Sequence, residues 1–510
     1  MPTYKIEYGD STIKGGLFLK YPSAESKVID YTDGSGKFFR HLSTFSKRST
    51  IKECLIESLE TAQKHIFFTS FLIQDDQIIE NLIKAVRRLK GHVYVVTTLK
   101  KNDFETFSSM QDQDSRVEWD FNAHMECVKY LARNGIFVKA RKDCHAKFAV
   151  FDDKYAIVTS ANSVATCFAD IKQDNGQIRE ANPENGIIID IPSEVYRIAN
   201  FFRSIWRGAY NYYISPDSHF SDVGEFNKDI MPIYCKESDQ PSKDGQIIWT
   251  APNDHRILKS MIEMIDSAQQ NIRMSSYVLK GMKDHLISKK LVQAANRGVN
   301  TELLVRGMSR RDHLESCYHL KESLGDKIDI LGDFCNHSKA MVIDDKQAMI
   351  LSANLDSQHG LDCSVEVGFM SRDTDFINSV SCFLDHLKAG SVLEFVSNPR
   401  QAQVAKRFST IHEPIITKKE ITINIKKNWK NQHKIINKLI SEIKSQLVKV
   451  SDFQQDGKKK YRLFTDNIVV DFIKNGENHL IADHPIEDRN AEKFHFKQVM
   501  PESTITINTD

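Results

Sequence analysis

The pattern of apolar and polar residues repeats along the chain, and each copy alternates between a helical and an extended period. Segment 51–99 has apolar residues at the helical spacing i, i+3, i+4 and i+7, then a short β-branched and aromatic run, and then both signals again. Segment 257–306 shows the same order. Both segments are therefore predicted as helix–strand–helix–strand. Such alternation favours a mainly parallel sheet flanked by helices, so the predicted fold class is α/β, with two related lobes in one bilobal body.

The two copies differ in length at two places. His337 follows His145 by 192 positions, whereas Asn271 follows His65 by 206. The extra residues of the first copy fall in polar stretches at about 100–125 and 163–183. Long polar insertions beside a shared site serve as lids and specificity loops, or are tolerated surface loops, and the sequence leaves both interpretations open.

A second pattern, also present twice, follows these elements. HAKFAVFDDKYAIVTSAN and HSKAMVIDDKQAMILSAN both fit H-x-K-x4-D-x7-S-x-N. The fixed residues are His145, Lys147, Asp152, Ser160 and Asn162 in the first copy, and His337, Lys339, Asp344, Ser352 and Asn354 in the second. Each copy is predicted as a hairpin of two apolar strands joined by an Asp-Asp-Lys turn. Folding it back places the histidine near the asparagine and the lysine near the serine, on one surface.

The residue types gathered in this way suit phosphate-ester chemistry. Two lysines and several neutral hydrogen-bond donors would neutralise the charge of a phosphate and of its transition state. One histidine can attack phosphorus while the other protonates the leaving oxygen, so this chemistry requires no metal. Two hairpin surfaces placed face to face would thus form a pocket for a single tetrahedral oxyanion.

With this order and spacing, the two motifs resemble the paired HKD motifs of the phospholipase D superfamily, over about residues 50–400. The resemblance implies a bilobal α/β fold with both motifs where the lobes meet, and metal-independent cleavage through a covalent phosphohistidine. It also implies an active site completed within one chain, with no cofactor. One departure stands out, because Thr159 and Leu351 occupy the position before the serine where the family usually has glycine. This change would crowd the phosphate pocket.

Roles for individual residues follow from the same resemblance. It makes His145 the nucleophile and His337 the general acid, although the near-equivalence of the halves leaves these two roles interchangeable. The residues that it places on the phosphate are Lys147, Lys339, Asn162 and Asn354.

Four acidic residues near the motifs are interpreted differently. Asp152 and Asp344 each lie five residues from their lysine, hence on the opposite strand face and at a turn, which favours a structural role over catalysis. Glu184 and Glu366 occupy equivalent positions 182 residues apart. A carboxylate there can accept the Nδ1–H of an imidazole and fix its tautomer. The alternative is a solvated acid at the start of a strand.

Length and composition indicate how many domains the chain can form. A chain of 510 residues with 41% hydrophobic residues can bury two to four cores of about 150 residues each. The chain is predicted to consist of an N-terminal segment 1–50 packing on the first lobe, the first lobe 51–213, a connector 214–246, the second lobe 247–400, and an α+β accessory domain 401–510.

Charge and cysteine content limit the binding partners and the cellular compartment that the sequence predicts. The 69 Lys+Arg residues nearly balance 68 Asp+Glu residues, so the chain has no global attraction to nucleic acid or to an anionic membrane. Nine cysteines without C-x-x-C or zinc-ligand spacing indicate reduced thiols and no metal site. Neither a signal peptide nor an apolar run of about 18 residues is found, and a cytoplasmic location is predicted.

The last hundred residues carry a local charge excess. Segment 401–460 holds 14 Lys+Arg against 5 Asp+Glu. It contains an amphipathic helix at 428–447 and then a hairpin with Lys458, Lys459 and Lys460. These lysines are interpreted as a surface that follows a nucleic-acid backbone, or alternatively as an ordinary solvated face.

The predicted function is a nuclease that cleaves DNA or RNA, because the insertions are polar and the C-terminal stretch is basic. A phospholipase or phosphatidyltransferase is the main alternative, although such an enzyme would carry apolar loops for docking at a lipid surface. A catalytically silent scaffold is the third. The resemblance also suggests a bacterial defence or repair role, with a separate ATPase or helicase as partner, since no G-x-x-x-x-G-K-[ST] motif is present.

Overall fold

The computed structural model describes residues 3–21, 31–45, 48–98, 121–141, 143–172, 176–208, 211–214, 220–221, 240–357, 359–407, 420–425, 431–455, 457–475, 479–487 and 498–509. The chain divides into two compact units. The larger runs from Glu25 to Val392, and the smaller combines Met1–Ala24 with Leu393–Asp510. The insertion expected at 100–125 and the connector expected at 214–246 lie largely outside the described residues.

The chain begins with two strands of the smaller unit, β1 (Thr3–Tyr8) and β2 (Gly16–Lys20). The first lobe of the larger unit then contributes the strands β3 (Phe39–Phe45), β4 (Arg48–Ser49), β5 (Ile66–Thr69), β6 (Val93–Thr97), β7 (Phe137–Arg141), β8 (Phe148–Phe151), β9 (Tyr155–Thr159), β10 (Ile171–Lys172), β11 (Ile178–Arg179), β12 (Glu184–Ile189), β13 (Asn211–Ile214) and β14 (Phe220–Ser221). Its helices are α1 (Thr50–Thr61), α2 (Asp76–Arg88), α3 (Phe121–Arg133) and α4 (Pro192–Arg207). The main sheet has the order β14-β13-β7-β6-β5-β8-β9-β12-β3-β4.

The second lobe repeats this plan. Its strands are β15 (Gln246–Ala251), β16 (Asp254–His255), β17 (Asn271–Ser276), β18 (Leu279–Lys280), β19 (Asn300–Arg306), β20 (Ile328–Asp333), β21 (Ala340–Ile343), β22 (Gln347–Leu351), β23 (Leu355–Asp356) and β24 (Glu366–Ser371). Its helices are α5 (Arg256–Ser267), α6 (Leu286–Asn296), α7 (Arg311–Leu324) and α8 (Thr374–Gly390). The strand order within this lobe is β16-β15-β24-β22-β21-β17-β19-β20. The α/β fold with two related lobes is thereby confirmed.

The helices begin and end where the sequence provides the chemistry for it. The carboxylate of Asp75 caps α2 by accepting the backbone N–H of Ile78. Asp76 lies in the first turn of α2, and Arg87 and Arg88 lie in the last, so both ends complement the helix dipole. None of the described helices has the length and the apolar character needed to cross a bilayer.

The expectation of a mainly parallel sheet is wrong. Among the described strands of the two main sheets, the parallel pairs are β5–β6 and β6–β7 in the first lobe and β17–β19 and β19–β20 in the second. Outside these sheets, the short strands β18 and β23 also pair in parallel. The strands of the two motif hairpins, and the strands β12 and β24 beside them, run antiparallel. The reason is topological: a helical crossover returns the chain to the same edge and gives a parallel pair, whereas a tight turn gives an antiparallel one.

A common apolar core joins the two lobes. Phe148 on β8 and Phe202 on α4 belong to the same buried cluster as Phe369 on β24 and Phe383 on α8. Each aromatic side chain removed from water contributes roughly 1.5–3 kcal/mol. Burial at this shared core therefore favours a single bilobal body over two separate domains.

The smaller unit is α+β, as expected for the C-terminal part. Its further elements are β25 (Leu393–Ser397), β26 (Glu420–Ile425), β27 (Lys449–Gln455), β28 (Lys458–Phe464), β29 (Ile468–Lys474), β30 (His479–Glu487), β31 (Gln498–Val499), β32 (Ser503–Thr509), α9 (Gln401–Arg407) and α10 (Gln432–Ser445). One sheet has the order β1-β32-β26-β30-β29-β28-β27-β31. The apolar side of α10 packs on this sheet through Ile436, Leu439 and Ile443.

The N-terminal strands correct the expectation that residues 1–50 pack on the first lobe. Strand β1 pairs with β32, and β2 pairs with β25, so both lie in the smaller unit. Among the described strands within 1–50, β3 and β4 join the sheet of the first lobe, where β3 pairs with β12 and with β4. Ile6 and Tyr8 of β1 are buried in the core of the smaller unit, which gives this strand an apolar face to cover there. The other predicted domain boundaries stay predictions.

Candidate active site

The two motif hairpins have the same register, and it differs by one residue from the expected one. Phe151 lies opposite Tyr155, so the N–H of Thr159, rather than of Ser160, reaches the carbonyl of Lys147 at 3.1 Å. In the second hairpin the N–H of Leu351 donates to the carbonyl of Lys339 at 3.0 Å. The expected pairing of each lysine with its serine is therefore wrong, because the three-residue loop fixes the register of the strands.

The motif aspartates face away from the other motif side chains and toward neighbouring backbone. The carboxylate of Asp152 accepts the N–H groups of Gln63, Lys64 and His65 at 2.7–3.1 Å, between α1 and β5. Asp344 accepts three N–H groups at 2.7–2.8 Å at the equivalent place between α5 and β17. Both residues have positive φ, 56° and 52°, which aspartate tolerates better than most residues. Burial alone would raise the pKa of Asp344, but the three N–H donors hold it below its ordinary value.

Replacing either aspartate with asparagine is expected to act on stability. The amide keeps the shape but loses the charge that three N–H groups contact, so the free energy of unfolding should fall by roughly 1.5–3 kcal/mol. Turnover of the folded variant should change by less than about 10-fold, since neither carboxylate contacts the motif histidines His145 and His337. Denaturant unfolding and initial rates measure the two effects.

Asp345→Asn is the matched control, since it makes the same change one residue along in the same turn. Its carboxylate accepts one hydrogen bond, from the hydroxyl of Ser381. Stability of this variant should stay within about 0.5 kcal/mol of the parent. A large loss of turnover in Asp152→Asn or Asp344→Asn at unchanged stability would show a catalytic role instead.

The two motif histidines are held by carboxylates of the opposite lobe. His145 Nδ1 lies 2.7 Å from Glu366 Oε1, and His337 Nδ1 lies 2.6 Å from Glu184 Oε1. Both glutamates are completely buried. Backbone hydrogen bonds also connect each motif histidine to the opposite lobe. The N–H of His145 donates to the carbonyl of Val365 at 3.0 Å, and the N–H of His337 donates to the carbonyl of Pro183 at 3.1 Å. In a neutral ring, an Nδ1–H donated to the carboxylate leaves the lone pair of Nε2 available for attack.

The motif serines hold the glutamates of their own lobe, rather than lying ready for an anion. Ser160 donates to Glu184 Oε2 and Ser352 donates to Glu366 Oε2, both at 2.5 Å. Their oxygens also accept the N–H groups of Asn185 and Val367 at 3.0 and 2.9 Å. The hydroxyls thus support the glutamates, and their contribution to the phosphate pocket stays a prediction.

The motif lysines and asparagines are buried around these pairs. Lys147 and Lys339 each donate Nζ to the carbonyl oxygen of their own histidine at 2.5 Å. Burial lowers the pKa of Lys147 to about 8. The Oδ1 atoms of Asn162 and Asn354 are buried and accept no hydrogen bond from the described part of the chain. Both amides thus retain hydrogen-bonding capacity for a ligand.

The electrostatic environment lowers the pKa of both motif imidazoles. Burial lowers the pKa of His145, and Lys147 lowers it further, while Glu366 opposes both. Burial followed by the charge of Lys339 brings the pKa of His337 well below its ordinary value. Burial raises the pKa of Glu184 to about 7. His337 is also the less accessible ring, with 4% of its side chain exposed against 17% for His145.

Aromatic rings that the sequence analysis missed lie against both histidines. The ring centroid of Phe71 is 4.8 Å from that of His145, and the centroid of Tyr277 is 4.9 Å from that of His337. The two residues are equivalent, since they are 206 positions apart like His65 and Asn271. That repeated offset is a signal that was available in the sequence.

Two buried histidines outside the motifs hold the segments that follow these rings. His124 Nδ1 accepts the N–H of Ile73 at 3.1 Å, and His313 Nδ1 accepts the N–H of Leu279 at 3.0 Å. Burial lowers the pKa of His313 to about 4, so this ring stays a neutral acceptor. Neither histidine belongs to a recognisable sequence motif. Their equivalent hydrogen bonds in the two lobes identify them as a pair.

Two further residues around His337 were also missed. The guanidinium of Arg306 lies 5.4 Å from the Tyr277 ring centroid and donates to the carbonyl of Phe334 at 2.8 Å. Asn185 connects the lobes by exchanging hydrogen bonds with the backbone of Lys339 at 3.2 and 3.3 Å. No sequence motif marks either residue.

The bulky residues before the motif serines are accommodated by glycines on the next strand. Thr159 pairs with Gly186 and Leu351 pairs with Gly368. A Cβ atom at Gly368 would lie 2.5 Å from Leu351 Cδ2, and one at Gly186 would lie 3.1 Å from Thr159 Cβ. The departure from the family pattern is thus matched by a small residue directly across the strand pair.

Gly368→Ala is expected to destabilise the protein by about 1–3 kcal/mol, because the added methyl group would lie 2.5 Å from Leu351 Cδ2 and 2.8 Å from the carbonyl oxygen of Ile350. The double variant Gly368→Ala/Leu351→Ala should be more stable than the sum of the two single changes predicts. Gly390→Ala is the control, since its nearest neighbour would be 3.8 Å away. Thermal unfolding of the four variants tests this, and additive effects would contradict it.

The C-terminal lysines lie in the smaller unit, on β28. Lys458 and Lys459 are exposed and Lys460 is half-buried. Lys459 forms an ion pair with Asp452 at 3.0 Å, so part of the positive charge on this strand is neutralised within the unit.

Comparison with known proteins agrees with the duplicated architecture. The family model described as "Cardiolipin synthase, PLD-like domain" matches residues 55–206 and 261–388. Two proteins named phospholipase D, from Rickettsia prowazekii (strain Madrid E) and Rickettsia typhi (strain ATCC VR-144 / Wilmington), are 30% and 29% identical over 99 residues. These alignments cover 19% of this chain and 45% and 46% of the relatives, so the chain spans less than half their length.

Two solved structures match the chain at low sequence identity. The phosphatidylserine synthase of Haemophilus influenzae Rd KW20 is 10% identical, with a TM-score of 0.49, and the match covers 70% of this chain and 87% of that one. Nuc of Salmonella typhimurium, a phospholipase D family member, is 22% identical, with a TM-score of 0.24, and the match covers 29% and 94%.

Proposed function

The chain belongs to the phospholipase D superfamily, whose members act on phosphodiesters, and from this premise we propose that it hydrolyses phosphodiester bonds through a phosphohistidine. The observation that carries the proposal is the pair of crossed contacts, His145–Glu366 and His337–Glu184. Each imidazole is oriented by a buried carboxylate, and a buried lysine donates to the carbonyl oxygen of the same histidine. This is the set of groups that a double displacement at phosphorus needs.

In the first step one imidazole attacks phosphorus through Nε2, and the bond to the leaving oxygen breaks. The family resemblance gives this role to His145 and makes His337 the acid. In that role the His337–Glu184 pair starts the step with one proton more than the His145–Glu366 pair, so that His337 has an Nε2–H, and this proton passes to the leaving oxygen. The attacking ring becomes cationic as the P–N bond forms, and the carboxylate of Glu366 stabilises that charge through Nδ1–H. Lys147, Lys339 and the amides of Asn162 and Asn354 offset the charge on the phosphoryl oxygens.

In the second step a water molecule replaces the leaving group. The imidazole that acted as acid now accepts a proton from the water, whose oxygen attacks phosphorus as the P–N bond breaks. The product phosphate monoester leaves, and both rings return to their starting protonation. Every bond formed or broken is thereby accounted for by the two histidines and water.

We propose nucleic acid as the substrate class. The insertion at 163–183 is polar, and on the smaller unit the exposed Lys458 and Lys459 form part of a segment with excess positive charge. These features favour a polyanion with repeating phosphates. A phospholipid is the second candidate, supported by the description of the family model and by the names of the two rickettsial relatives.

The purified protein should be incubated, in the presence of EDTA, with end-labelled DNA, labelled RNA and vesicles of phosphatidylcholine. Cleavage of DNA or RNA in EDTA supports the proposal and shows which nucleic acid is used. Release of headgroup from the vesicles with intact nucleic acids would replace the first substrate with the second. Loss of all activity in EDTA, restored by a divalent metal, would contradict the histidine-based mechanism.

A further inference from the structure

A third metal-ligating side chain lies beside one of the two histidine–glutamate pairs. Cys167, Glu184 and His337 each offer one ligand atom, and the three atoms lie within 4.8 Å of one another. All three side chains are buried, with at most 3% of each residue exposed. Cys167 ends the short 3-10 turn Ala165–Cys167, and its sulfur accepts a hydrogen bond from Asn182 at 3.9 Å.

The arrangement distinguishes the two halves of the site. Within the ranges that the structure describes, this is the one group of three such residues, so the counterpart pair His145–Glu366 has no third ligand beside it. The cysteine comes from the segment that makes the first copy longer, between the hairpin and Glu184. Because the three residues are far apart in sequence, ligand spacing gave no sign of them.

We propose that Cys167, Glu184 and His337 form a binding site for Zn²⁺, and that occupation of this site inhibits the enzyme. Sulfur, imidazole nitrogen and carboxylate oxygen are the ligands that zinc prefers, at about 2.0–2.3 Å in a tetrahedral set. Such bonds leave ligand atoms about 3.3–3.8 Å apart, so shifts of about an ångström convert the present group into three of the four ligands. The inhibition rests on the proposed function, whereas the metal binding does not.

Binding would remove the tautomer on which the proposed mechanism depends. The metal takes the place of the proton between His337 Nδ1 and Glu184, the proton moves to Nε2, and the thiol of Cys167 releases its proton to water. His337 then has no lone pair at Nε2 for attack on phosphorus. As a metal-bound neutral ring it is also a much weaker acid than an imidazolium, so either role is blocked.

The surroundings set a limit on the affinity. Lys147, Lys339 and Arg306 all place positive charge near His337 and disfavour a divalent cation. The thiolate of Cys167 and the carboxylate of Glu184 supply two negative charges that offset the charge of the metal. These opposing charges favour reversible binding of the inhibitory metal, which EDTA removes. The metal takes no part in the reaction.

Direct binding is tested with Co²⁺, which reports a cysteine ligand through its thiolate-to-metal charge-transfer absorption. The parent protein should show this band, Zn²⁺ should displace it, and Cys167→Ser should lack it. Cys335→Ser is the matched control, since Cys335 lies two residues from His337 but outside the group, and it should retain the band. Cys167→Ala provides a second variant if the serine protein does not fold.

Inhibition is measured by titrating Zn²⁺ against turnover, with each variant normalised to its own rate in EDTA. The half-inhibitory concentration should rise by at least about 10-fold in Cys167→Ser and stay at the parent value in Cys335→Ser. A band that persists in Cys167→Ser, or equal zinc sensitivity in all proteins, would overturn the site. A protein that shows the Cys167-dependent band but has no phosphodiesterase activity would retain the metal site and lose the proposed function.

Discussion

Alanine at His145 or at His337 is expected to reduce turnover more than any other single change. Loss of the nucleophile should lower kcat by about 10⁵- to 10⁶-fold, and loss of the general acid by about 10²- to 10⁴-fold with an unactivated substrate. The difference arises because without the nucleophile the P–N bond cannot form, whereas a missing acid only leaves the departing oxygen unprotonated.

A phosphodiester with a p-nitrophenyl leaving group separates the two roles. Its leaving group needs no proton, so the variant that lacks the acid should recover most of its rate in the first step, and the variant that lacks the nucleophile should not. If the family resemblance holds, recovery occurs in His337→Ala. Recovery in His145→Ala would exchange the two roles while leaving the proposed function intact.

Surface histidines provide the matched controls. His92 in the first lobe and His255 in the second are exposed, and their alanine variants should keep the parent rate. Thermal unfolding of all four variants shows whether a lost rate reflects a lost fold. Full turnover by a folded His145→Ala or His337→Ala protein would refute the proposed mechanism.

Glutamine at Glu184 or Glu366 is expected to give the second largest effect. The amide has the same shape, but it carries no charge to stabilise an imidazolium and can present N–H to Nδ1, which selects the wrong tautomer. In a catalytic triad the corresponding change costs about 10⁴-fold in kcat, and a loss of about 10²- to 10⁴-fold is expected here. Initial rates of the two variants, together with their unfolding curves, measure it.

The crossed geometry makes a sharper prediction through double variants. Because Glu366 contacts His145, His145→Ala/Glu366→Gln should be no slower than His145→Ala alone. By contrast His145→Ala/Glu184→Gln should be slower still, since Glu184 acts on the other ring. The reverse pattern would show that each glutamate serves the histidine of its own lobe.

The leaving-group test extends to the glutamates. If His337 is the acid, Glu184→Gln should be rescued by the activated substrate and Glu366→Gln should not. The glutamates thereby report the roles of the histidines independently of the histidine variants. Equal rescue of both would indicate that the carboxylates support the lobe interface and not a particular ring.

Local sequence patterns were enough to predict the duplicated helices and strands and to single out the repeated motif. The 3.6-residue and 2-residue periods located the duplicated helices and strands, because both periods reflect hydrogen bonds and side-chain directions within a few residues. The spacing of the motif identified His145, His337, Lys147 and Lys339, since two copies in register leave little room for coincidence. Asp152 and Asp344 were predicted at turns for the same local reason, and both have positive φ.

Only the tertiary structure decided which lobe supplies the partner of each histidine, that β1 completes the sheet of the smaller unit, and that Cys167 stands beside Glu184. Local periodicity carries no information about these contacts, because they join residues up to several hundred positions apart. The contacts between the lobes are fixed by the packing of their shared apolar core, and β1 is fixed by the separate core of the smaller unit. In either case a one-residue change of register would reverse every side chain of a strand. The sequence by itself thus determined the residue types and the spacing of the two half-sites, and their packing determined how the halves combine.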